Sequence, residues 1–472
     1  MRRRILAGVL ALTSAACGFR LFANDPPTAS DPLESAESSL ALATPLWSAR
    51  RTPESIVEAV GRARLLIDYA AATAGTDTCL LVRNAEGIVL SLGDDKPLRP
   101  ASTGKMLTAA AAFHVLGPDF RFVTNAKANA APTNGTVEQL WLVGGGDPGI
   151  ASAARIRRLA ADPARRDLTT SPLESLAEAI TKAGVTNIPK GIVADDSRYS
   201  TERGVATWVP SDRFESGPLG ALAVDQGVDP ATGDQVGDPA LDAAGALTSL
   251  LTARGVTVGP PSRATKEPPA NLTTLASLTS DPLEAILRGA LLASDNYTLE
   301  VITREVGRKA KNSGTTDAGV KAVFDTLQSL GYPVANVAMV DGSGLSPENR
   351  ATCRVLLATL SDPDPPIARV LDNGLPVAGK SGTLANRFRG TPIAGKLRAK
   401  TGTLNGTAAF VGHVNVKRPL SFAYIANGSF TTAAGIANRE RIASILARFP
   451  DSPPTEVLVP LPEKPFAVRL AR

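Results

Sequence analysis

Two short, mainly apolar stretches predict two neighbouring strands early in the chain. They run from Thr78 to Arg83 and from Gly87 to Leu92, on either side of a turn at residues 84–86. After a loop, an apolar run from Thr103 to Leu116 predicts a helix, which Gly117-Pro118 ends. The folded body therefore begins with a hairpin followed by an apolar helix.

A second group of strands follows this helix. Residues 122–130 and 137–143 alternate like strands, and Asn134-Gly135 between them is a turn signal. The stretch after them mixes short helices and strands with many Gly, Pro and Asp turns. We interpret residues 124–270 as an inserted domain of mixed structure.

Helical periodicity returns at Asp281, which is predicted to cap a helix that runs to about Ser294, with Glu284 reaching back to the cap. Further helices and then three adjacent antiparallel strands are predicted. The helices span 297–310, 315–330, 351–361 and 438–448, and the strands span 396–403, 407–416 and 420–427. The predicted class is α/β (α+β), with helices around an antiparallel sheet built from residues 45–123 and 271–450.

The two ends of the chain have a different composition from this body. Three arginines, an apolar run and small residues predict a secretory leader in residues 1–23, and an uncleaved membrane anchor is the alternative. Lipidation of Cys17 is a weaker alternative, because Ser14 stands where a large aliphatic residue is expected. Residues 24–44 are predicted to be a linker and 451–472 a Pro-rich tail. The protein is therefore predicted to be exported.

Composition limits the classes of function. The 472 residues are 43% hydrophobic and 20% charged, which fits a globular chain of more than one domain. The net charge of +5 includes the leader arginines, and no basic block predicts nucleic-acid binding. Outside the leader, Cys79 and Cys353 either form a disulfide in an oxidising compartment or serve as small buried apolar residues.

A serine and a lysine lie one helical turn apart at Ser102-Thr103-Gly104-Lys105. Ser102 falls where the loop enters the helix, so backbone N–H groups and positive potential are available for an oxyanion. A desolvated lysine can lose its proton near neutral pH and act as a base. We therefore predict Ser102 as nucleophile and Lys105 as its base, although the same pattern alone is common in helix caps.

Two further polar clusters complete a possible site. In Ser294-Asp295-Asn296, the Ser294 hydroxyl can relay a proton and the Asn296 amide can hold a substrate amide. In Lys400-Thr401-Gly402-Thr403, the first two side chains can bind a carboxylate, Gly402 admits a substrate backbone, and the Thr403 N–H can hold an oxyanion. Lys380-Ser381-Gly382-Thr383 is a competing match, and we prefer Lys400 because a predicted strand continues from it.

Other hydrolytic sites have weaker support. His114 and His413 are the two histidines of the chain, and neither lies in a recognisable nucleophile elbow. No close His, Cys and carboxylate cluster predicts a zinc hydrolase, so we expect neither a metal nor another cofactor.

The three clusters, in this order, form the motif set of penicillin-binding proteins and class A β-lactamases. Longer strings resemble the low-molecular-mass class C penicillin-binding proteins, the D-alanyl-D-alanine carboxypeptidase/endopeptidase family, over residues 78–448. These strings are PASTGK at 100–105, LGPDFRF at 116–122, GGDP at 145–148, DGSGLS at 341–346 and AKTGTL at 399–404.

The resemblance implies a transpeptidase-like fold interrupted by an extra domain, and a Ser102 acyl-enzyme that acts on peptidoglycan stem peptides. It also implies covalent inhibition by β-lactams. Trp208 to Asp212 is similar to a family segment whose aspartate meets the amino end of the stem-peptide side chain, so Asp212 is a predicted specificity residue; a solvated turn aspartate is the alternative. The balance of carboxypeptidase and endopeptidase activity stays open.

A serine β-lactamase and a catalytically silent wall-binding protein are the alternative functions. The sequence has no Glu-x-x-x-Asn between the second and third clusters to supply a deacylating carboxylate. We therefore expect a penicillin adduct to persist. A silent binding protein has little reason to retain all three clusters.

Overall fold

The computed structural model describes residues 53–452. The predicted leader and linker, and all but the first two residues of the predicted tail, lie outside this range. Within it the chain forms fourteen strands. They are β1 Asp77–Arg83, β2 Ile88–Leu92, β3 Val123–Ala128, β4 Leu140–Val143, β5 Ile150–Ala151, β6 Ser171–Pro172, β7 Asn187–Ile188, β8 Ile192–Asp195, β9 Thr257–Val258, β10 Ser262–Arg263, β11 Thr273–Thr279, β12 Leu397–Leu404, β13 Thr407–Asn415 and β14 Pro419–Asn427.

Eleven α-helices and several short 3₁₀ turns accompany the strands in the described part of the chain. The helices are α1 Pro53–Thr73, α2 Lys105–Leu116, α3 Ala153–Ala161, α4 Leu173–Lys182, α5 Pro239–Thr252, α6 Leu283–Ala293, α7 Asn296–Lys311, α8 Thr316–Ser329, α9 Cys353–Ala358, α10 Pro365–Asn373 and α11 Thr432–Leu446. The 3₁₀ turns span Ala101–Gly104, Pro210–Glu215, Asp225–Gly227, Thr359–Ser361 and Gly382–Leu384.

One sheet is antiparallel throughout, in the order β12-β13-β14-β1-β2. Its middle strands are buried on both faces, so alternate residues enter two different cores. Cys79 and Leu81 of β1 pack with α2, α6 and α7, whereas Leu80 and Val82 pack with α1 and α11. This explains why β1 has the continuous apolar run from Cys79 to Val82.

Helix α2 lies inside the first of these cores. Its residues from Lys105 to Phe113 are all buried. A helix that is apolar around its whole circumference can be satisfied only by contacts on every side. Lys105, which begins α2, is thereby fixed in the interior of the protein.

A second sheet has the mixed order β10-β8-β4-β3-β11. It is packed against α4 and α5, with Leu176, Ile180, Ala244 and Leu247 in its core. A smaller cluster that includes Trp208, Leu219, Tyr297 and Leu345 joins the segment after β8 to helix α7. The chain enters the second sheet through β3 and leaves it through β11, and these two strands pair with each other.

Several local predictions differ from the structure. Asp281 does not cap α6, because Pro282 occupies the N-cap position with extended dihedral angles and without a side-chain hydrogen bond. The last helix begins at Thr432 instead of Asn438, with Thr431 as its cap. Helix α1 was not predicted at all, although its packing against the last helix closes one face of the sheet.

Cys79 and Cys353 form a disulfide between β1 and the first turn of α9. Both residues are fully buried. Of the two roles that the sequence left open for this pair, the structure shows the bridge. No helix among residues 53–452 is long and apolar enough to cross a membrane.

Candidate active site

Ser102 lies in the 3₁₀ turn Ala101–Gly104 at the entrance to α2, as predicted, and the α-helix expected from Thr103 begins at Lys105. The turn is held by Thr103, whose hydroxyl and backbone N–H both donate to the Pro100 carbonyl, at 2.7 and 3.3 Å. Ala101 has φ +46°, a left-handed conformation that costs energy in a residue with a Cβ atom. The turn presents Ser102 at the entrance to α2 with its side chain partly exposed.

The Lys105 ammonium position is defined by three oxygens. Its Nζ lies 3.0 Å from Ser102 Oγ, 2.6 Å from Asn296 Oδ1 and 2.6 Å from the Ser343 carbonyl oxygen. The orientation of the Asn296 amide follows from its other end, since Nδ2 donates to the Glu215 carbonyl at 2.8 Å. Both Asn296 Oδ1 and Ser343 O can only accept hydrogen bonds.

This arrangement accommodates both protonation states of Lys105, since an ammonium donates to all three oxygens and a neutral amine to two of them. Two N–H bonds of a neutral amine are used by the two carbonyl-type acceptors, so its lone pair is directed at the third neighbour, Ser102 Oγ. A hydroxyl can donate its proton to that lone pair. The three contacts are therefore those required of a general base beside a serine nucleophile.

The second cluster joins helices α6 and α7. Ser294 ends α6 in the left-handed conformation (φ 59°, ψ 38°), and Asp295 caps α7 by accepting the Thr298 N–H at 2.8 Å. The sequence predicted a helix end, and the structure shows a sharp turn between two helices. This turn directs Ser294 and Asn296 toward different lysines.

The third cluster lies on β12, which is an edge of the antiparallel sheet. Lys400 is fully buried, and its Nζ donates to Ser294 Oγ at 2.8 Å and to the Thr401 carbonyl at 2.9 Å. A Cβ atom on Gly402 would lie 2.5 Å from the Pro100 carbonyl and 3.1 Å from Thr103 N. Glycine is thus required where β12 packs against the Ser102 turn.

The competing motif lies beside the third cluster. Lys380 to Thr383 forms a loop and a 3₁₀ turn, and Thr383 Oγ1 is 2.9 Å from Thr401 Oγ1. The strand position belongs to Lys400, as expected. Thr383 of the competing motif was not a predicted site residue, yet it lies beside the cleft.

Asp212 lies on the 3₁₀ turn Pro210–Glu215, which borders the same cleft. Glu215, at the end of this turn, supplies the carbonyl that Asn296 binds. Asp212 itself is half-buried, and its side chain accepts the Ser211 hydroxyl at 3.0 Å. The structure therefore brings Asp212 near the site without a direct contact to the other predicted residues.

Comparisons with known proteins identify the family. The model of the D-Ala-D-Ala carboxypeptidase 3 (S13) family matches residues 74–235 and 220–449. The chain belongs to this family. The resemblance to low-molecular-mass penicillin-binding proteins is confirmed, and as a member of the S13 family the chain is a serine peptidase.

Two curated relatives are similar over most of their length. A carboxypeptidase of Mycobacterium tuberculosis is 36% identical over 351 residues, which cover 71% of this chain and 72% of the relative. A D-alanyl-D-alanine carboxypeptidase of Actinomadura is 30% identical over 434 residues, which cover 75% and 77%.

A solved structure confirms the fold. Penicillin binding protein 4 of Haemophilus influenzae superimposes with a TM-score of 0.67 at 22% identity, over 81% of this chain and 99% of that protein. The predicted α/β fold with helices and an antiparallel sheet is therefore confirmed.

The electrostatics of the S13 site set the two lysines apart from ordinary lysines. Burial lowers the pKa of Lys105 to about 8, and the carboxylates of Asp341, Glu300, Asp295 and Glu215 limit the fall. Burial also lowers the pKa of Lys400 well below its usual value, and the positive charge of Lys105 adds to the effect. Lys105 therefore carries a free amine in a useful fraction of molecules near neutral pH.

Glu300 and Asp341, which were not predicted as site residues, hold the loop that contacts Lys105. Glu300 of α7 is fully buried and accepts the backbone N–H groups of Ser343, at 2.8 Å, and Gly342, at 3.1 Å. Asp341 accepts the Trp208 indole N–H at 2.9 Å and the backbone N–H groups of Gly344 and Ser346. These two carboxylates fold the 341–346 loop so that the Ser343 carbonyl points at Lys105.

The two histidines are engaged elsewhere. His114 Nε2 lies 3.0 Å from Asp362, and His413 Nδ1 lies 2.9 Å from the Ser421 hydroxyl. Neither contact reaches Ser102. Within residues 53–452, no group of three His, Cys, Asp or Glu residues is arranged to hold a metal ion.

Proposed function

We propose that this S13 peptidase uses Ser102 as its nucleophile and removes the terminal D-Ala from peptidoglycan stem peptides. The observation that carries the proposal is the contact of Lys105 Nζ with Ser102 Oγ at 3.0 Å, while its other two neighbours are acceptors only. The family and the two named carboxypeptidase relatives supply the substrate class.

Acylation begins with transfer of the Ser102 proton to the Lys105 amine as Oγ attacks the penultimate D-Ala carbonyl. The backbone N–H groups of Ser102 and Thr403 hold the resulting oxyanion. Collapse of this intermediate breaks the peptide bond and leaves an ester on Ser102. Water then attacks the ester and regenerates the hydroxyl.

The leaving D-Ala amine needs a proton, and Ser294 can deliver it. Its hydroxyl accepts a hydrogen bond from Lys400 at 2.8 Å, so its own proton is free to be donated toward the cleft. Lys400 returns a proton to Ser294 as the amine departs and regains it, through Ser294, from the water that attacks the ester, while Lys105 gives its proton back to Ser102 Oγ. Asn296 positions the acyl side of the peptide, and Lys400 with Thr401 holds its terminal carboxylate.

The insertion contributes the rim of the cleft. We propose residues 124–270 as a domain inserted into a catalytic domain formed by residues 45–123 and 271–450. The separate core of the second sheet supports an insertion, and β11, which belongs to that sheet, extends it past residue 270 to Thr279. Asp212, on the 3₁₀ turn beside Asn296, is proposed to bind the amino end of the stem-peptide side chain. The same acyl-enzyme also permits endopeptidase cleavage of crosslinks.

The family acts outside the cytoplasm, on the cell wall. We propose that residues 1–23 direct export or anchor the protein to the membrane, and that β-lactams form a lasting adduct with Ser102. Intact-mass measurement with and without penicillin, followed over hours, tests nucleophile and deacylation together. One persistent adduct in the wild type and none in Ser102→Ala is the expected result.

Each other outcome contradicts a specific part of the proposal. Labelling that survives in Ser102→Ala would remove Ser102 as the nucleophile. Rapid loss of the adduct with release of hydrolysed penicillin would favour a β-lactamase, and no adduct in the folded wild type would favour a silent wall-binding protein. Ser277→Ala, at an exposed serine of β11, is the matched control.

A further inference from the structure

Arg439 of α11 is a buried cation directly behind the third cluster. Its side chain is 4% exposed, and its guanidinium lies 5.1 Å from the centre of the Phe410 ring. Nη1 donates to Thr403 Oγ1 at 2.7 Å and to the Gly402 carbonyl at 3.2 Å. Neither of these acceptors is a carboxylate.

A guanidinium in this environment is costly without an anion. Burial lowers the pKa of Arg439 to about 10, the negative charge of Glu440 opposes the fall, and Arg387 adds to it. Glu440 itself pairs with Arg387 at 3.3 Å. The Arg439 charge is thus only partly compensated by the protein.

Like Arg439, Lys400 is buried and donates to acceptors that are not carboxylates. Its Nζ donates to a hydroxyl and to a backbone carbonyl, and Arg439 contributes to the lowering of its pKa. Two buried basic side chains therefore flank the Thr401–Thr403 segment of β12. An anion bound at this segment supplies the missing charge.

The hydrogen bond from Arg439 also restricts the direction of the Thr403 hydroxyl proton. A hydroxyl has one proton to donate, and the Arg439 N–H already occupies one of its acceptor positions. The Thr403 proton must then point away from Arg439. Thr403 is half-buried on the edge strand β12 and follows Gly402, which packs against the Ser102 turn, so a proton directed away from Arg439 can reach the cleft along that edge.

We propose that Arg439 is a positioning residue for recognition of the substrate's terminal carboxylate: it orients the Thr403 hydroxyl as a donor and supplies positive potential behind it. This inference rests on the proposed function, because it assigns the carboxylate to the Lys400–Thr403 segment. Arg439 acts through Thr403 and does not contact the substrate itself.

The test compares two thioester substrates that share one acyl group. In one, the leaving thiol is mercaptoacetate with a free carboxylate; in the other, that carboxylate is a methyl ester. Thiol release gives kcat and KM for each. In Arg439→Gln we expect the ratio of kcat/KM for acid over ester to fall about tenfold or more, mainly through KM for the acid.

A double-mutant cycle separates positioning from simple stability. Thr403→Ala should lower the same ratio, and Arg439→Gln should have little further effect on it in that background. Arg439→Lys, which keeps the charge but not the two-point geometry, should recover part of the ratio. Arg441→Gln, at an exposed arginine of the same helix, should leave the ratio unchanged.

Equal losses for acid and ester in Arg439→Gln, or losses that multiply in the double variant, would overturn the inference. If Arg439→Gln does not fold, Arg439→Lys and Thr403→Ala answer the same question. Failure of the proposed function looks different, since the wild type would release thiol from neither substrate or Ser102→Ala would retain the activity.

Discussion

The Glu300 carboxylate accepts the Ser343 N–H at 2.8 Å, and the Ser343 carbonyl accepts a hydrogen bond from Lys105 Nζ at 2.6 Å. One backbone residue thus links a buried carboxylate to the proposed general base. Burial and the nearby Asp341 raise the pKa of Glu300 to about 7, while the N–H groups of Ser343 and Gly342 oppose the rise. Glu300 accepts these two N–H groups most strongly when its carboxylate is ionised.

Glu300→Gln should therefore slow acylation and shift its pH dependence. An amide cannot accept both N–H groups with two oxygens, so the Ser343 carbonyl loses its fixed direction, at a cost of about 1–3 kcal/mol, or roughly five- to a hundredfold in rate. Removal of a negative charge also lowers the pKa of Lys105, so the acid limb of the rate profile should move to lower pH. An unmoved acid limb with reduced stability would leave Glu300 a purely structural role.

The rate of acylation by penicillin in the wild type should rise with pH through about 8 and then level off. Below this pKa Lys105 is protonated and has no lone pair for the Ser102 proton; above it the amine is free. The second-order rate constant of adduct formation, measured by mass over a series of buffers, gives the profile. A flat profile through pH 8 would contradict Lys105 as the base.

Ser294→Ala should slow turnover of a D-Ala-D-Ala peptide by about a hundredfold or more, because the relay to the leaving amine is lost. Adduct formation with penicillin should be slowed but still occur, since Ser102 and Lys105 remain. The comparison of peptide turnover with intact mass distinguishes Ser294 from Ser102. Unchanged peptide turnover would remove Ser294 from the mechanism.

Gly402→Ala should destabilise the protein by about 1–3 kcal/mol and impair acylation, because its Cβ would lie 2.5 Å from the Pro100 carbonyl. Either β12 or the Ser102 turn must move. Gly245→Ala is the matched control, since a Cβ in the middle of α5 meets nothing within 4 Å and should stabilise the helix by about 1 kcal/mol. Urea unfolding and adduct formation measure both effects.

Local pattern was sufficient for the elements that carry the three clusters. The hairpin of β1 and β2 and helix α2 follow from apolar runs and from Gly-Pro punctuation, and the three C-terminal strands follow from alternation. The Asp281 cap was wrong because Pro282 moved the N-cap by one residue. The last helix was placed too late because its first turns are rich in Ala and Gly and show little amphipathic pattern.

The supporting residues could not be found in the same way. The Ser343 and Glu215 contacts are made by backbone carbonyls, which any residue type can supply. Glu300 and Arg439 reach partners far away in the sequence, and each looks in its own helix like an ordinary charged residue. Their significance becomes visible only when burial is known, because an exposed carboxylate or guanidinium would need no explanation.

The pairing of β1 with β14 has a consequence for how the chain acquires its structure. As the protein is synthesised from its N-terminus, the second sheet has all its strands once β11 has emerged, whereas β1 must wait for a partner that ends at Asn427. Closure of the antiparallel sheet is a long-range event and is expected to be slow. The catalytic cleft, which needs β12 beside the Ser102 turn, is therefore among the last features of the molecule to form. A chain that ends before β12 contains Ser102 but cannot assemble the active site.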